Sequence, residues 1–231
     1  MKVFVFYLTT LVLRLWTSIP PTVVHNLEKS QKIHLLMWQQ NVEKVEGDYV
    51  EFGVASGNSL MSATLSSKRA KSRVLGVSAL NRHMHGFDTF EKFISSSPHD
   101  DHKTWIGGSF SFPLEKVRRR FRKFPNVFLH KVNAEDLKNL DSYGILNKVS
   151  IALFDMDLYA PTKAALVAIS PKLQNGSFLI FDEHFAFKGD ETKGESRAVK
   201  EFLIENPLVH LRFVSTYGAG GAVFVVNLNN S

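Results

Sequence analysis

Cysteine is absent from the 231-residue chain. Its absence excludes a disulfide framework, a thiolate zinc site, an iron–sulfur cluster and a cysteine nucleophile. The chain also lacks a continuous apolar run of about 20 residues, which a membrane-spanning helix requires. Hydrophobic residues make up 44% and charged residues 22% of the chain, as in a typical globular protein, so disordered and fibrous classes are excluded. Any bound metal must therefore have oxygen or imidazole ligands.

An apolar segment occupies the N-terminus, where Lys2 precedes the run Val3 to Leu13 and Arg14 interrupts it. The run resembles the core of a signal peptide, but no small-x-small cleavage site follows, and Pro20-Pro21 ends it. We expect residues 1–27 to form an apolar helix or extension that packs on the body or on a neighbouring subunit.

That extension leaves three alternatives for location. We expect a cytoplasmic protein that can form a homo-oligomer. Weak contact of residues 1–16 with a membrane surface is the second alternative, and a cleaved signal is the third.

The formal net charge of +6 suggests an anionic partner, but the charge is unevenly distributed. Residues 1–125 hold 18 basic and 10 acidic side chains, whereas residues 126–231 hold 10 and 12. Two basic runs, 68–73 and 116–123, carry much of the excess, and the second has the apolar spacing of an amphipathic helix. A solvated helix face explains it most simply, and an anion-binding or membrane-facing surface is the alternative. Because no nucleic-acid-binding motif accompanies these runs, we do not expect a nucleic-acid partner.

Strand-like and helix-like segments alternate along the body. This alternation predicts an α/β fold with a Rossmann-like, doubly wound, seven-stranded and mostly parallel sheet. A turn of only a few residues joins the last two strands, so they should form an antiparallel C-terminal hairpin. The predicted helices are 28–46, 58–71, 112–124, 160–173 and 195–205, and the predicted strands are 49–54, 83–87, 127–132, 151–154, 177–181, 211–216 and 222–226.

Polar side chains follow the first two strands. In such sheets ligands bind at the carboxyl ends of the strands. The first strand runs into a turn with Glu51, Gly53, Ser56, Gly57 and Ser59, which has two glycines rather than the three of a dinucleotide-binding turn. This turn suits a ligand that has a cationic or zwitterionic part and no pyrophosphate. A tight strand–helix connection is the alternative.

Asp88 ends the second strand, where an acid can accept hydrogen bonds from a ribose.

Four acids follow the fourth and fifth strands. Asp155, Asp157, Asp182 and Glu183 should meet at one edge, where their mutual repulsion requires a cation. Carboxylate oxygen suits a hard ion, above all Mg²⁺. We predict that Asp155, Asp182 and Glu183 bind the metal, and that Asp157 caps the helix that follows or binds loop backbone.

These segments together resemble the macrocin O-methyltransferase family of class I S-adenosylmethionine (SAM) methyltransferases. The resemblance covers roughly residues 28–226. It rests on Tyr49–Val54, on Gly86–Glu91, on Trp105 with Gly108 and Phe110, on Asp155–Thr162, on Asn175–Ser177 with Asp182-Glu183, and on Gly194 with Ala198–Phe202. The family usually has Asp-Asp-Tyr where this chain has Asp182-Glu183-His184.

The resemblance implies a SAM-dependent, Mg²⁺-assisted O-methyltransferase domain over residues 28–231, acting on a hydroxyl of a sugar or glycosylated small molecule. It also implies roles for the site residues. Glu51, Gly53 and Ser59 would hold the methionine part of SAM in a turn that includes Ser56 and Gly57, Asp88 would bind the ribose, Asn133 and Ala134 would line the adenine, and Asp155, Asp182 and Glu183 would hold the metal.

For the catalytic residues we predict Asp155, through the metal, and His184, as the base, because its imidazole titrates near neutrality. The alternative for His184 is packing at the strand end. The loop from Phe93 to Phe110 is the candidate substrate lid.

Two other functions compete with the methyltransferase. One is a nicotinamide-dependent oxidoreductase on a similar sheet, and the missing third glycine argues against it. The other is a non-catalytic nucleotide-binding or assembly protein, and the acids retained at the strand ends argue against that.

Overall fold

The computed structural model describes residues 7, 10, 12–14, 17–91, 112–145 and 148–229. Seven strands form one sheet in the order β3-β2-β1-β4-β5-β7-β6. The first five strands are parallel, and β7 runs antiparallel to both β5 and β6. The strands are β1 (Asp48–Phe52), β2 (Met84–Asp88), β3 (Val127–Lys131), β4 (Val149–Phe154), β5 (Phe178–Phe181), β6 (Val209–Tyr217) and β7 (Gly221–Leu228). The predicted mostly parallel sheet with a C-terminal hairpin is confirmed.

Helices lie between most of the strands and cover the sheet. The α-helices described from residue 21 onward are α1 (Pro21–Val42), α2 (Asn58–Arg69), α3 (Leu114–Phe121), α4 (Tyr159–Ile169) and α5 (Gly194–Glu205). Short 3₁₀ turns at 134–136, 140–143, 170–172 and 187–189 fill the connections. No helix within the described residues is long and apolar enough to cross a bilayer.

The core consists of two apolar layers, one on each face of the sheet. Strand β4 shows why, since all six of its residues are buried and those from Ile151 to Phe154 alternate between the layers. Ala152 and Phe154 belong to the layer beneath α4 and α5, whereas Ile151 and Leu153 belong to the layer beneath α1 and α2. Strand β4 therefore crosses the core from one edge to the other, and the acids that follow it lie at the carboxyl edge of the sheet.

The first helix differs most from its prediction, since α1 spans Pro21–Val42 instead of residues 28–46. Proline is favoured at the first helical position, where its missing N–H would have had no intrahelical partner. Pro20 precedes the helix in an extended conformation and Pro21 begins it. The proline pair therefore ends one segment and starts the next. The helix also crosses residue 28, where the main domain was expected to begin.

Two predicted features fall mainly outside the described residues. The candidate lid from Phe93 to Phe110 lies wholly outside them, as do Trp105, Gly108 and Phe110. In the N-terminal extension, residues 7, 10, 12–14 and 17 are helical, and Tyr7, Val12 and Leu13 are exposed. Contact of residues 1–16 with a membrane surface stays a prediction.

Candidate active site

The turn after β1 requires glycine at its first position. Gly53 has φ +89°, and a Cβ there would lie 1.9 Å from the carbonyl oxygen of Asp155. Gly57 also has a positive φ, and its Cβ would meet the ring of Phe121 at 2.9 Å. Both positions are closed to side chains, so the turn runs directly against the start of the loop after β4. This close approach joins the predicted cofactor turn to the predicted metal edge.

Asp88 stabilises the same turn from the end of β2. Its Oδ2 accepts a hydrogen bond from the Ala55 N–H at 2.8 Å, and its Oδ1 accepts one from the Phe90 N–H at 2.6 Å. Ala55 has φ +46°, an unusual conformation for a residue with a side chain. The carboxylate therefore fixes the shape of the turn, and the ribose-binding role predicted for it stays a prediction.

Glu51 lies beneath the turn and is completely buried. Its two oxygen atoms accept hydrogen bonds from the Tyr49 hydroxyl and the Ser59 hydroxyl, both at 2.7 Å. Burial raises the pKa of Glu51 to about 7. Glu51 thus ties the first turn of α2 to β1, and the methionine-binding role predicted for it stays a prediction.

The other predicted cofactor residues lie around the same edge. Ser56 is half-buried in the turn, and its carbonyl oxygen accepts a hydrogen bond from Arg120 of α3. Asn133 follows β3, and its side chain accepts a hydrogen bond from the Glu135 N–H at 3.3 Å, which caps the turn that contains the buried Ala134. The structure thus brings the predicted residues that follow β1, β2 and β3 to the carboxyl edge of the sheet.

A group of five acids occupies the carboxyl edge near β4 and β5. Its members are Asp155, Asp157, Asp182 and Glu183 from the strand ends and Glu195 from the first turn of α5. Burial and neighbouring carboxylates raise the pKa of Asp155, Glu183 and Glu195 well above its usual value. Burial likewise raises the pKa of Asp157 to about 6.

Lys29 of α1 lies between two of these acids. Its ammonium donates to Asp155 Oδ2 at 2.8 Å and to Asp182 Oδ2 at 2.5 Å, and the lysine is only 5% exposed. Burial alone would lower the pKa of Lys29, but the two carboxylates raise it well above its usual value. A permanent positive charge therefore bridges the ends of β4 and β5.

Asp182 has two further partners. Its Oδ1 accepts from the Tyr217 hydroxyl at 2.5 Å, and His25 Nε2 lies 3.0 Å from Oδ2. His25 Nδ1 accepts from the Ala219 N–H at 3.2 Å, so the proton of a neutral imidazole must be on Nε2, which donates to Asp182. Burial opposes ionisation of Asp182, but the His25 hydrogen bond and the Lys29 charge keep its pKa below the usual value. Asp182 is thus a firmly ionised carboxylate held by three donors.

Within the group of five acids, Asp155, Asp157 and Glu183 form a cluster that suits a hard cation. They offer three carboxylate oxygens within 4.8 Å of one another. Glu183 Oε2 is buried without a hydrogen-bond partner among the described residues, and so is Glu195 Oε1. Asp182 and Glu195 are buried and the other three acids are half-buried. One lysine cannot balance five such carboxylates, so protons or a divalent ion must supply the remaining charge. The residues present therefore fit Mg²⁺.

The observed grouping adds detail to the predicted metal ligands. Asp155 and Glu183 lie together, as the prediction requires, and the third carboxylate close to both is Asp157, whose φ is +64°. Asp182 lies close to Glu183 and His25 and is separated from Asp155 by the Lys29 ammonium. The N-cap residue of α4 is Leu158, which makes no side-chain capping hydrogen bond, and the capping or loop-binding role expected of Asp157 stays a prediction.

His184 lies in an aromatic environment. Its ring is 5.0 Å from the rings of both Phe185 and Phe224 and 5.9 Å from that of Phe181. Burial lowers the pKa of His184 to about 4. These surroundings favour the packing alternative over the role of a base.

Four residues of the site were missed from sequence, namely His25, Lys29, Glu195 and Tyr217. Glu195 was predicted only as the start of a helix. Lys29 did give a signal, because it falls in phase with the buried positions Ile33, Met37 and Gln40 of α1. A lysine in an apolar helical stripe needs a buried partner. His25 and Tyr217 gave none, since their proximity to Asp182 depends on how α1 and β6 pack against the sheet.

Comparison with known proteins identifies the family. The Macrocin-O-methyltransferase (TylF) family profile matches residues 18–217. No curated protein sequence matches the chain significantly.

Solved structures confirm the fold. The O-methyltransferase NovP is 20% identical to this chain and has a TM-score of 0.68. The match covers 86% of this chain and 79% of the NovP chain. CalS11, a calicheamicin methyltransferase, is 23% identical over 94% of this chain and 90% of its own, also with a TM-score of 0.68. Apo CalS11, described as a TDP-rhamnose 3'-O-methyltransferase, has a TM-score of 0.57 at 23% identity, with coverage of 94% of this chain and 92% of its own.

At these identities the solved structures establish the fold of a class I methyltransferase, while the profile covers most of the chain and every strand from β1 to β6. The oxidoreductase alternative loses its support, and the chain belongs to the macrocin O-methyltransferase (TylF) family and is an O-methyltransferase.

Proposed function

We propose that the protein transfers the methyl group of SAM to a hydroxyl of a sugar or glycosylated small molecule, with Mg²⁺ bound at the acidic edge. The observation that carries the proposal is the contact between Gly53 and the Asp155 carbonyl oxygen, which places the cofactor turn beside the five acids. The description of CalS11 as a TDP-rhamnose 3'-O-methyltransferase supports a sugar-type acceptor.

The cofactor would lie over the turn from Gly53 to Ser59. SAM carries a positively charged sulfonium and a positively charged ammonium, and the acidic edge attracts both. Asp88 would accept hydrogen bonds from the ribose hydroxyls while it holds Ala55, and Asn133 and Ala134 would line the adenine on the β3 side. These placements give a role to every predicted cofactor residue except Glu51, which is buried beneath the turn.

The acceptor hydroxyl would lie at the ends of β4 and β5. When bound by Asp155, Asp157 and Glu183, a divalent ion lowers the pKa of a hydroxyl that it contacts. Lys29 would hold Asp155 and Asp182 in place, since its ammonium reaches both. Much of the rate would come from aligning the hydroxyl oxygen with the methyl carbon.

In the transfer step one bond forms and one bond breaks. The hydroxyl oxygen forms a bond to the methyl carbon as the carbon–sulfur bond breaks, and the electron pair of that bond leaves with sulfur in S-adenosylhomocysteine. A carboxylate of the edge would take the hydroxyl proton, because five acids lie there against one lysine. His184 remains the alternative acceptor, although its ring lies among phenylalanines.

Calorimetry with SAM, with and without Mg²⁺, tests the proposal on the full chain. We expect SAM to bind, Asp88→Ala to weaken that binding at least ~10-fold through loss of a charged hydrogen-bond acceptor, and NAD not to bind. Asp141→Ala is the matched control, since Asp141 is an exposed acid paired with Lys172 away from the turn. Absence of SAM binding would refute the proposal. SAM binding and methyl transfer that persist unchanged after removal of Mg²⁺ would refute its metal part alone.

A further inference from the structure

A second group of potential metal ligands lies at the opposite edge of the sheet, where the strands begin. Asp48 is the first residue of β1, His83 directly precedes β2, and His85 is the second residue of β2. One ligand atom from each lies within 4.8 Å of the other two. Since alternate residues of a strand share a face, His83 and His85 lie on one face, beside Asp48 of the neighbouring strand.

Two of these side chains are buried with an atom that lacks a hydrogen-bond partner. Asp48 is 3% exposed and His85 is 1% exposed. Asp48 Oδ2 and His85 Nε2 have no such partner among the residues that the structure describes. The two atoms are 3.8 Å apart, which is too long for a hydrogen bond. Two ligands of a tetrahedral zinc ion with bonds of 2.0–2.1 Å are separated by about 3.3 Å, so a small shift would admit the ion.

The other polar atom of each buried side chain is already oriented. Asp48 Oδ1 accepts a hydrogen bond from the His83 N–H at 3.1 Å. His85 Nδ1 lies 3.1 Å from His130 Nε2, and the two rings are stacked with only 8° between their planes. A second hydrogen bond of this kind fixes the ring and the tautomer of a metal-binding histidine.

The neighbouring guanidinium of Arg82 does not pair directly with the Asp48 carboxylate. Arg82 donates its hydrogen bonds to the carbonyl oxygens of Gly47 and Val45 and to the side chains of Ser150 and Asn41. Lys68, which also lines the adjoining cleft, lies over the ring of Phe124. A cation bound by Asp48 would therefore balance a buried charge that these side chains do not pair directly.

We propose that Asp48, His83 and His85 form a zinc site at the amino edge of the sheet, separate from the methyl-transfer site. Two imidazoles and one carboxylate are a usual ligand set for Zn²⁺, and the lack of cysteine leaves imidazole as its preferred ligand here. His83 is exposed and borders a cleft of about 490 Å³ that also contains Asp48, Arg82 and Asn126, which gives the ion a path from solvent. The site ties the start of β1 to β2 and has a stabilising role.

Metal titration of the full chain, first stripped with a chelator, tests the proposal. Excess Mg²⁺ occupies the carboxylate edge, and Co²⁺ serves as a visible probe before Zn²⁺ displaces it. We expect one equivalent of Co²⁺ with the absorption bands of nitrogen–oxygen coordination, and a higher Tm when Zn²⁺ is bound. His83→Ala should weaken Zn²⁺ binding at least ~10-fold, and His130→Phe should weaken it by a similar factor through loss of the orienting hydrogen bond.

Two controls locate the ion. His210→Ala removes an exposed histidine of β6 that is hydrogen-bonded to Asn229, and this variant should leave Zn²⁺ affinity unchanged. Glu183→Gln alters the acidic edge and should also leave it unchanged. Stoichiometric Zn²⁺ binding that survives His83→Ala, or no Zn²⁺ binding in the presence of Mg²⁺, would overturn the proposal. Because His83 is exposed, its loss should not prevent folding, and SAM binding of this variant checks that directly.

Discussion

The ammonium of Lys29 donates to Asp182 Oδ2 at 2.5 Å, so the third turn of α1 closes the acidic edge of the sheet. The pair is buried on both sides, with exposed side-chain fractions of 6% and 3%. It links a helix near the N-terminus to the end of β5, 153 positions later in the chain. Helix α1 is therefore part of the site.

Loss of this charge should destabilise the fold. Lys29→Met leaves Asp155 and Asp182 buried without their common cation, which typically costs about 3–5 kcal/mol for a broken buried ion pair. Urea denaturation followed by circular dichroism measures the free energy of unfolding. Lys32→Met on the same helix is the control and should change it by less than about 0.5 kcal/mol. Equal stability of the two variants would contradict the bridging role.

Gly53 should tolerate no side chain. In Gly53→Ala the new Cβ would lie 1.9 Å from the Asp155 carbonyl oxygen, so the turn must move and SAM affinity should fall at least ~10-fold. Gly144→Ala is a close control, because Gly144 also has a positive φ of +81° but has nothing within 4 Å of its Cβ position. Calorimetry with SAM compares the two variants. A similar loss in both would mean that backbone strain, and not the contact with Asp155, is responsible.

Removal of the metal should reveal repulsion among the acids. Without Mg²⁺, Glu183→Gln should be more stable than the wild type, because it removes one of several crowded carboxylates. Addition of Mg²⁺ should raise the Tm of the wild type and change that of Glu183→Gln much less. Glu191→Gln, at an exposed acid, should respond as the wild type does. A Tm of the wild type that does not respond to Mg²⁺ would contradict the proposed metal site.

Glu51 should make stability depend on pH between about 4.5 and 7. The ordinary pKa of a glutamate is 4.5, and that of Glu51 in the fold is about 7, because burial disfavours the charged form. The folded state therefore holds the proton more tightly, and stability falls as pH rises through this range, by about 1–3 kcal/mol. Glu51→Gln cannot titrate, so its stability relative to the wild type should improve from pH 5 to pH 7.5. Parallel pH profiles would show that Glu51 keeps its ordinary pKa.

His184 should prove replaceable. Its ring packs against Phe185 and Phe224, so His184→Phe preserves the contacts and should retain methyl transfer at pH 7 within a few-fold of the wild type. Asp155→Asn should reduce transfer far more, because it removes a carboxylate from both the Lys29 bridge and the metal group. Turnover assays with separate SAM-binding measurements distinguish the two effects. A loss of kcat in His184→Phe with SAM affinity unchanged would restore His184 as the base.

Sequence alone determined the sheet and the residues at its edge. Strands buried on both faces, such as β4, are recognisable as short apolar runs, and the polar residues that follow them must lie at one edge of a parallel sheet. Gly53, Asp88 and Asp155 were therefore identifiable from local pattern, together with the family resemblance.

Only the tertiary structure decided which carboxylates pair with which cations. Lys29 of α1 reaches Asp182 across 153 positions of the chain, and Asp157, whose φ is positive, lies beside Glu183. The cluster of Asp48, His83 and His85 likewise forms from the register of β1 against β2. Ion pairing depends on distances of a few ångströms between residues far apart in the chain, and sequence pattern carries no information on that scale.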